Sequence, residues 1–346
     1  MRFSKTLTHW YSNNKRNLPW RETQEPYRIW LSEIILQQTQ VKQGLPYYDA
    51  FVNTYPTVFD LAKAEESEVL KLWQGLGYYS RARNLHATAK YVADELGGKF
   101  PSNYKALLKL KGIGDYTASA ISSICFNEAS AVVDGNVYRV LSRYFGMDTP
   151  INSSKGVKEF KALAQELIDA KDPATYNQAI MEFGAIQCKP KNPYCPICPF
   201  KDSCLAFNKN RIDELPVKIK SAKAKKKYFN FLVFISEDGK TILEKREGKG
   251  IWQNLYQFPL IETGNSMNLE VFKNEIENHK LTKGLHFELS LYNEDAIIHK
   301  LSHQHLYTKF WIVNMEALPV EGISVNKIKT FAVPILIGNF IESFNF

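Results

Sequence analysis

Four of the five cysteines in this 346-residue chain crowd into one short stretch, spaced Cys188-x6-Cys195-x2-Cys198-x5-Cys204. Soft thiolates at such intervals can close around a single inorganic centre, and they select zinc or an iron–sulfur cluster. Two disulfides would use the same residues, but the N-terminal MRFSKTLTHWYSNNKR lacks the apolar run of a secretory signal. A chain of this length can also build its core without covalent staples. Structural zinc sites more often show two Cys-x2-Cys pairs or mixed Cys/His ligands, whereas here one short pair is flanked by longer gaps. The fifth cysteine, Cys125, lies in the apolar run AISSICF and reads as a small buried hydrophobe.

The length favours two domains. Lysine and arginine total 44 against 36 acids, a net charge of +8 that favours nucleic acid or anionic surfaces without choosing between them. No segment approaches the ~20 apolar residues that span a bilayer, so no membrane association is expected; the missing targeting signal and the reduced state that thiolate ligands require lead to the expectation of a cytoplasmic location. Residues 1–208 read as helical, with apolar positions at three- and four-residue spacing in 61–73, 84–96 and 157–170. Residues 209–227 hold Pro216 and six lysines from 218 onward, and predict a solvated linker. From Tyr228 the pattern turns strand-like. FNFLVFI, Glu237-Asp238-Gly239-Lys240 and TILEKRE predict a hairpin. The alternating YTKFWIVNM and a helical piece near 268–280 complete a small α+β domain over 228–346.

Three places carry candidate chemistry. In LLKLKGIGDYTASA, a turn at Lys111-Gly112-Ile113-Gly114 precedes a helix starting at Asp115, the pattern of a helix-hairpin-helix over about 102–125. Exposed backbone N–H groups beside a helix N-terminus accept phosphate, and such contacts set position rather than sequence. Glu33 is a lone acid in WLSEIILQQTQ, and desolvation there should raise its pKa and suit it to general acid work. A structural glutamate bonded to backbone or arginine is the alternative. Asp134 follows Ala131-Val132-Val133 and precedes an amphipathic helix, which fits an N-cap aspartate held rigidly and ionised. An acid that protonates a leaving base and an anion that meets a sugar cation are what N-glycosidic bond cleavage asks for.

These marks resemble, in order, the endonuclease III-like helix-hairpin-helix DNA glycosylases, and within them the A/G-specific adenine DNA glycosylase branch. The matching stretches are Leu18-Pro19-Trp20-Arg21, Glu33 with Leu36-Gln37-Gln38-Thr39-Gln40-Val41, Gly75-Leu76-Gly77-Tyr78-Tyr79-Ser80-Arg81-Ala82-Arg83, the hairpin, Val133-Asp134-Gly135-Asn136-Val137, and the cysteines. The resemblance implies a [4Fe–4S] cluster on Cys188, Cys195, Cys198 and Cys204 in a loop over 188–204. It implies Glu33 as the acid on adenine and Asp134 as the residue that stabilises or captures the sugar cation. Arg16, Trp20, Arg21, Leu36, Val41 and Gln178 become candidates for the base pocket. Gln38 and Tyr78 match residues that wedge into a duplex when a base is extruded, although Tyr78 could instead pack in the core. Gly112 and Gly114 would meet the DNA backbone. Where strand-cutting relatives carry a lysine that forms a Schiff base, this chain has Tyr116. It therefore resembles the monofunctional members, which leave an abasic site.

The C-terminal region resembles the Nudix-like domain fused to that branch, through Gly250-Ile251-Trp252-Gln253-Asn254-Leu255-Tyr256-Gln257-Phe258-Pro259. It lacks the acidic box that holds magnesium in Nudix hydrolases, which points to recognition rather than hydrolysis. The family's Phe-Ser-His loop, which checks for 8-oxoguanine, reads Leu301-Ser302-His303 here, so Ser302 and His303 remain candidate lesion contacts. His299, His303 and His305 have no carboxylate or cysteine at ligand spacing and do not read as a metal site. The expected whole is multidomain: a mainly α glycosylase fold with a [4Fe–4S] loop, then an α+β lesion-recognition domain. Its expected partner is double-stranded DNA with A:8-oxoguanine or A:G mispairs, bound by a monomer.

Overall fold

The computed structural model describes residues 2–220 and 224–346. It divides into two compact units, Met1–Lys63 with Asn84–Lys220, and Ala64–Arg83 with Ser221–Phe346. The division does not follow chain order. Segment 64–83, expected to belong with the first 208 residues, groups with the C-terminal chain. Its side chains explain why: Lys71 Nζ donates to the carbonyls of Lys329 and Phe331, Tyr79 Oη to that of Val333, and Asn254 Nδ2 to Glu66 Oε1.

The first unit is helical among the described residues. Its helices start where the sequence supplies caps: Glu25 for Pro26–Leu36, Asn103 for Tyr104–Leu107, Asp134 for Gly135–Phe145, Ser153 for Ser154–Leu167 and Asp172 for Pro173–Glu182. Each cap oxygen accepts from backbone N–H groups of the first turn, which have no partner within the helix. The run 61–73 is broken rather than continuous. Helix Val58–Lys63 stops, and Glu65 opens Glu66–Leu72 through a reciprocal capping box with Glu68. Before the hairpin turn only the single helical turn Tyr104–Leu107 forms, and Asp115–Phe126 follows it as expected.

The expected linker is not a solvated tether over most of its length. Leu215 is buried, Ile151 N donates to Val217 O, and Asn152 exchanges two hydrogen bonds with the Ile219 backbone. Residues 221–223, including part of the lysine run, lie outside the described residues.

The second unit is built on strands Lys225–Ser236 and Gln304–Met315, parallel to each other in register from Lys225↔Gln304 to Ser236↔Met315. Leu260–Thr263 pairs antiparallel with the first, while Glu288–Leu291 and Ile297–Lys300 pair antiparallel with the second. Helix Leu269–Glu277 packs on one face through Phe272, whose ring stacks on Trp311 at 4.1 Å. The hairpin expected at Asp238-Gly239 turns there but does not pair with its own first strand. Lys240–Thr241 pairs with Ile323–Ser324, and Glu244–Lys245 with Tyr256–Gln257. Phe231, Leu232, Val233 and Phe234 are all buried. A strand apolar on both faces needs both faces covered, while along its edges Tyr228–Phe231 pair with Leu260–Thr263 and the whole strand pairs with Gln304–Met315. Among the described residues no helix is long and apolar enough to cross a membrane.

Candidate active site

Helix Pro26–Leu36 buries nearly its whole circumference, so Glu33 is only 8% exposed. Burial pushes its carboxyl from 4.5 to about 7, against a hydrogen bond from Tyr116 and the charge of Arg21, and with help from the charge of Asp134. Tyr116 is the second residue of Asp115–Phe126. Burial first, then the Glu33 and Asp134 charges, hold its phenol well above 10. Its hydroxyl also lies 3.0 Å from Met181 Sδ. Two acids and one phenol thus act on each other's ionisation.

Asp134 caps Gly135–Phe145, accepting from Asn136 N at 2.9 Å, Val137 N at 2.8 Å and Asn136 Nδ2 at 2.8 Å. Burial nevertheless raises its carboxyl above 3.8, ahead of the downward pull of those bonds and of Arg139. The cap geometry is the expected one, and desolvation is the largest influence on the carboxyl, ahead of the cap bonds. Arg139 in turn bridges Asn136 Oδ1 at 2.8 Å, Gly184 O at 2.6 Å and Cys188 O at 2.7 Å.

Glu182, a residue the sequence did not single out, organises two arginines of this unit. It ends helix Pro173–Glu182 and is 1% exposed. Arg16 and Arg21 both fork onto it: Arg16 Nε and Nη2 at 2.8 and 2.6 Å, Arg21 Nη1 and Nη2 at 3.0 and 2.8 Å. Burial alone would raise its carboxyl, but these bonds outweigh it and carry the value down to about 2. One turn earlier, Gln178 Oε1 accepts from Tyr11 Oη at 2.7 Å. The signal that could have found Glu182 is its four-residue offset from Gln178, which puts both on one helix face. Trp20 is buried edge-on to Tyr48, with centroids 5.1 Å apart. Leu36 and Val41 are half-buried on either side of the bend after the first long buried helix.

The four clustered cysteines line one cavity together with Arg143, Tyr144 and Phe200. Burial, and the charges of the other cysteines, raise the thiols of Cys195, Cys198 and Cys204. Arg143 Nη1 sits 3.6 Å from Cys188 Sγ and also donates to Lys189 O. Among the described residues no three ligand-type side chains stand at metal-holding spacing. The donor set and its neighbouring cation still fit a thiolate-held group, because four soft ligands face one cavity and Arg143 offsets their charge.

Known proteins resemble the chain over most of its length. Residues 31–169 match the HhH-GPD superfamily of base excision DNA repair proteins, and residues 230–343 match the NUDIX domain. The adenine DNA glycosylase of Buchnera aphidicola subsp. Baizongia pistaciae is 36% identical over 336 residues, 95% of this chain and 88% of that protein. The Homo sapiens adenine DNA glycosylase is 43% identical over 222 residues, 62% of this chain and 41% of that one. The chain belongs to the adenine DNA glycosylase family. A thermostable thymine-DNA glycosylase superposes with a TM-score of 0.56 at 34% identity, covering 60% of this chain and 95% of that one. A non-covalent endonuclease III–DNA complex, at 21% identity and a TM-score of 0.53 over 60% of this chain and 95% of that one, shares the fold.

Membership makes the chain a DNA N-glycosylase and gives the remaining candidates a frame. At the hairpin, Gly112 has φ +80, and a Cβ there would stand 2.7 Å from Asn84 Cβ. Gly114 is the residue before the first turn of Asp115–Phe126, with no side chain over the helix N-terminus. Gln38 and Tyr78 both have positive φ, 55 and 47, a costly backbone for residues with side chains and one that clusters at functional positions. Tyr78 is 48% exposed, so it is not a core residue. Its hydroxyl lies 2.6 Å from Ser302 Oγ. Ser302 and His303 are exposed at the tip between Ile297–Lys300 and Gln304–Met315, a turn closed by Leu301 N to Gln304 O at 2.9 Å. The first unit gathers Glu33, Tyr116 and Asp134, and the second gathers Tyr78 with Ser302.

Proposed function

We propose that this glycosylase removes adenine from A:8-oxoguanine and A:G mispairs by hydrolysing the N-glycosidic bond, acting as a monomer on duplex DNA in the cytoplasm. The observation that carries the reading is Glu33, a buried carboxyl raised to about 7. A general acid works best with a pKa near the working pH. Glu33 donates its proton to the adenine ring, which turns the base into a better leaving group. Asp134, fixed by its cap bonds, stabilises or captures the positive sugar once its own carboxyl is ionised. Tyr116 orients Glu33 and, being a phenol, forms no imine, so the strand stays intact. Arg16, Arg21 and Gln178, anchored by Glu182 and Tyr11, line the base pocket with Trp20, Leu36 and Val41. In the first unit Gln38 wedges into the duplex and Gly112 and Gly114 hold phosphate; in the second, Tyr78 is a wedge residue and Ser302 and His303 read the opposite base.

Cys188, Cys195, Cys198 and Cys204 would hold a [4Fe–4S] cluster whose contribution is structural, ordering the loop 188–204. Arg139 and Arg143 carry the order of that loop to the helix capped by Asp134.

The test is base release from matched duplexes carrying A opposite 8-oxoguanine, G or T, followed by alkali. Breaks at adenine in the first two, appearing only after alkali, are expected. Breaks without alkali, together with borohydride trapping of a covalent complex, would instead make the chain a lyase. Release from the A:T duplex at the same rate would remove the mispair preference.

A further inference from the structure

The chain entering Asp134 is buried and irregular, and no strand pairs with it among the described residues. Residues 127–134 form no regular element, and Ser130, Ala131, Val132 and Val133 are all buried. Buried backbone N–H and C=O groups must find partners, and here side chains supply them one after another. Gln165 Nε2 donates to Ala129 O at 2.7 Å, and Gln165 Oε1 accepts from Ala131 N at 3.0 Å. Lys161 Nζ donates to Ala131 O at 2.7 Å. Asn177 Nδ2 donates to Ser130 O at 2.8 Å, and Asn177 Oδ1 accepts from Val132 N at 3.2 Å. Three side chains therefore take the place of a neighbouring strand.

The three come from two helices. Lys161 and Gln165 are four residues apart on Ser154–Leu167 and share its face. Asn177 lies on Pro173–Glu182, fully buried, and its amide also reaches Ser123 Oγ at 2.8 Å. Lys161 continues to Ser119 Oγ and Asp115 Oδ2, each at 3.0 Å, on the helix that follows the hairpin. One ammonium thus ties the phosphate-facing helix to the segment that ends in Asp134.

We infer that Lys161, Gln165 and Asn177 are positioning residues for Asp134, a cradle that fixes the register of 129–132 and so the place of the carboxylate. The inference rests on the proposed role of Asp134. A carboxylate meeting a sugar cation gains only if it is placed before the bond breaks, and a misplacement of about 1 Å costs roughly 100-fold.

Gln165 provides the cleanest test because it is exposed and its loss does not open the core. Gln165→Leu keeps the bulk and removes both bonds. Its single-turnover rate of adenine release from A:8-oxoguanine DNA is expected to fall about 10-fold to 100-fold, with affinity for the duplex little changed and the melting temperature lowered by the unpaired Ala131 N–H. The backbone amide signals of Asn136 and Val137, which bond to Asp134, are expected to move in the 15N spectrum. Gln165→Glu, which retains the acceptor for Ala131 N, is expected to recover part of the rate. Asn177→Asp keeps the acceptor for Val132 N, loses the bond to Ser130 O, and should show the same pattern more strongly. A wild-type rate with unmoved Asn136 and Val137 amides in Gln165→Leu would overturn the inference. So would a lowered active fraction with an unchanged rate constant, since that marks a purely structural role. If the wild-type protein released no adenine at all, the proposed reaction would fail, while the amide signals would still decide the cradle.

Discussion

Two glutamates, both almost fully buried in the same helical unit, have their carboxyls pushed in opposite directions. Glu33 sits among Ile34, Ile35 and the Tyr116 phenol, and burial carries it to about 7. Burial acts on Glu182 in the same direction, but the forks of Arg16 and Arg21 outweigh it, and its carboxyl falls to about 2. Burial by itself does not decide a carboxyl's protonation. What decides is whether cationic donors follow it inside. The helical unit thus keeps one acid able to give a proton and another permanently charged as an anchor.

The largest expected effect breaks the first half of that contrast. Glu33→Gln keeps size and polarity but removes the proton near neutral pH, and single-turnover excision is expected to fall about 10²- to 10⁴-fold. Binding to a mispaired duplex should persist, as gel shift or fluorescence anisotropy would show. An excision rate within a few-fold of wild type would end the acid assignment. The second half breaks through stability. Glu182→Ala leaves two guanidinium groups facing a pocket with no anion, and the loss should be about 3 kcal/mol by urea unfolding. Arg16 is the more exposed of the two, so most of the cost falls on Arg21.

The contrast also has a signature in pH. The Glu182 carboxylate is favoured in the folded state, so the unfolded chain binds more protons between about pH 2 and 4.5. Its stabilisation is complete above 4.5 and is lost as pH falls through about 2. Glu33 is the reverse: the folded state keeps the proton between 4.5 and about 7. Its contribution is complete below 4.5 and is lost as pH rises through about 7. Each amounts to about 3 kcal/mol, so their joint contribution peaks near pH 4.5. Urea midpoints across that range would check it. Glu33→Gln should remove the decline on the neutral side, and Glu182→Gln the rise on the acid side. A decline that survives Glu33→Gln would assign it to another group, and Asp134, also raised, is the first to test.

The two glutamates differ in how far the sequence announces them. Glu33 stands out because its context is local: apolar neighbours one helical turn away already dictate desolvation. The Asp134 cap and the Gly112 turn are visible for the same reason, since each needs only the next few residues. Glu182 is silent because its partners lie 166 and 161 residues earlier, beyond any periodicity. Distance also hid the grouping of 64–83 with the C-terminal chain, and the side chains that bond to Ala131 and Val132. At Asp238-Gly239 the local signal gives the turn but not the pairing, because the partners of Lys240–Thr241 lie more than eighty residues on, at Ile323–Ser324.

The smallest effect sharpens the comparison at the one residue that opposes burial at Glu33 most strongly. The Tyr116 hydroxyl stabilises the ionised form of Glu33 and so holds its value down. Tyr116→Phe removes that hydrogen bond and leaves the ring, and the Glu33 carboxyl should rise further. The pH at which excision declines on the alkaline side should therefore move upward, while the plateau rate at lower pH changes by no more than a few-fold. The pH dependence of the single-turnover rate reads both quantities in one series. A downward move would mean that the phenol instead stabilises the protonated acid. An unmoved profile would mean that Tyr116 spends its hydrogen bond on Met181, leaving burial and the Asp134 and Arg21 charges to set the acid.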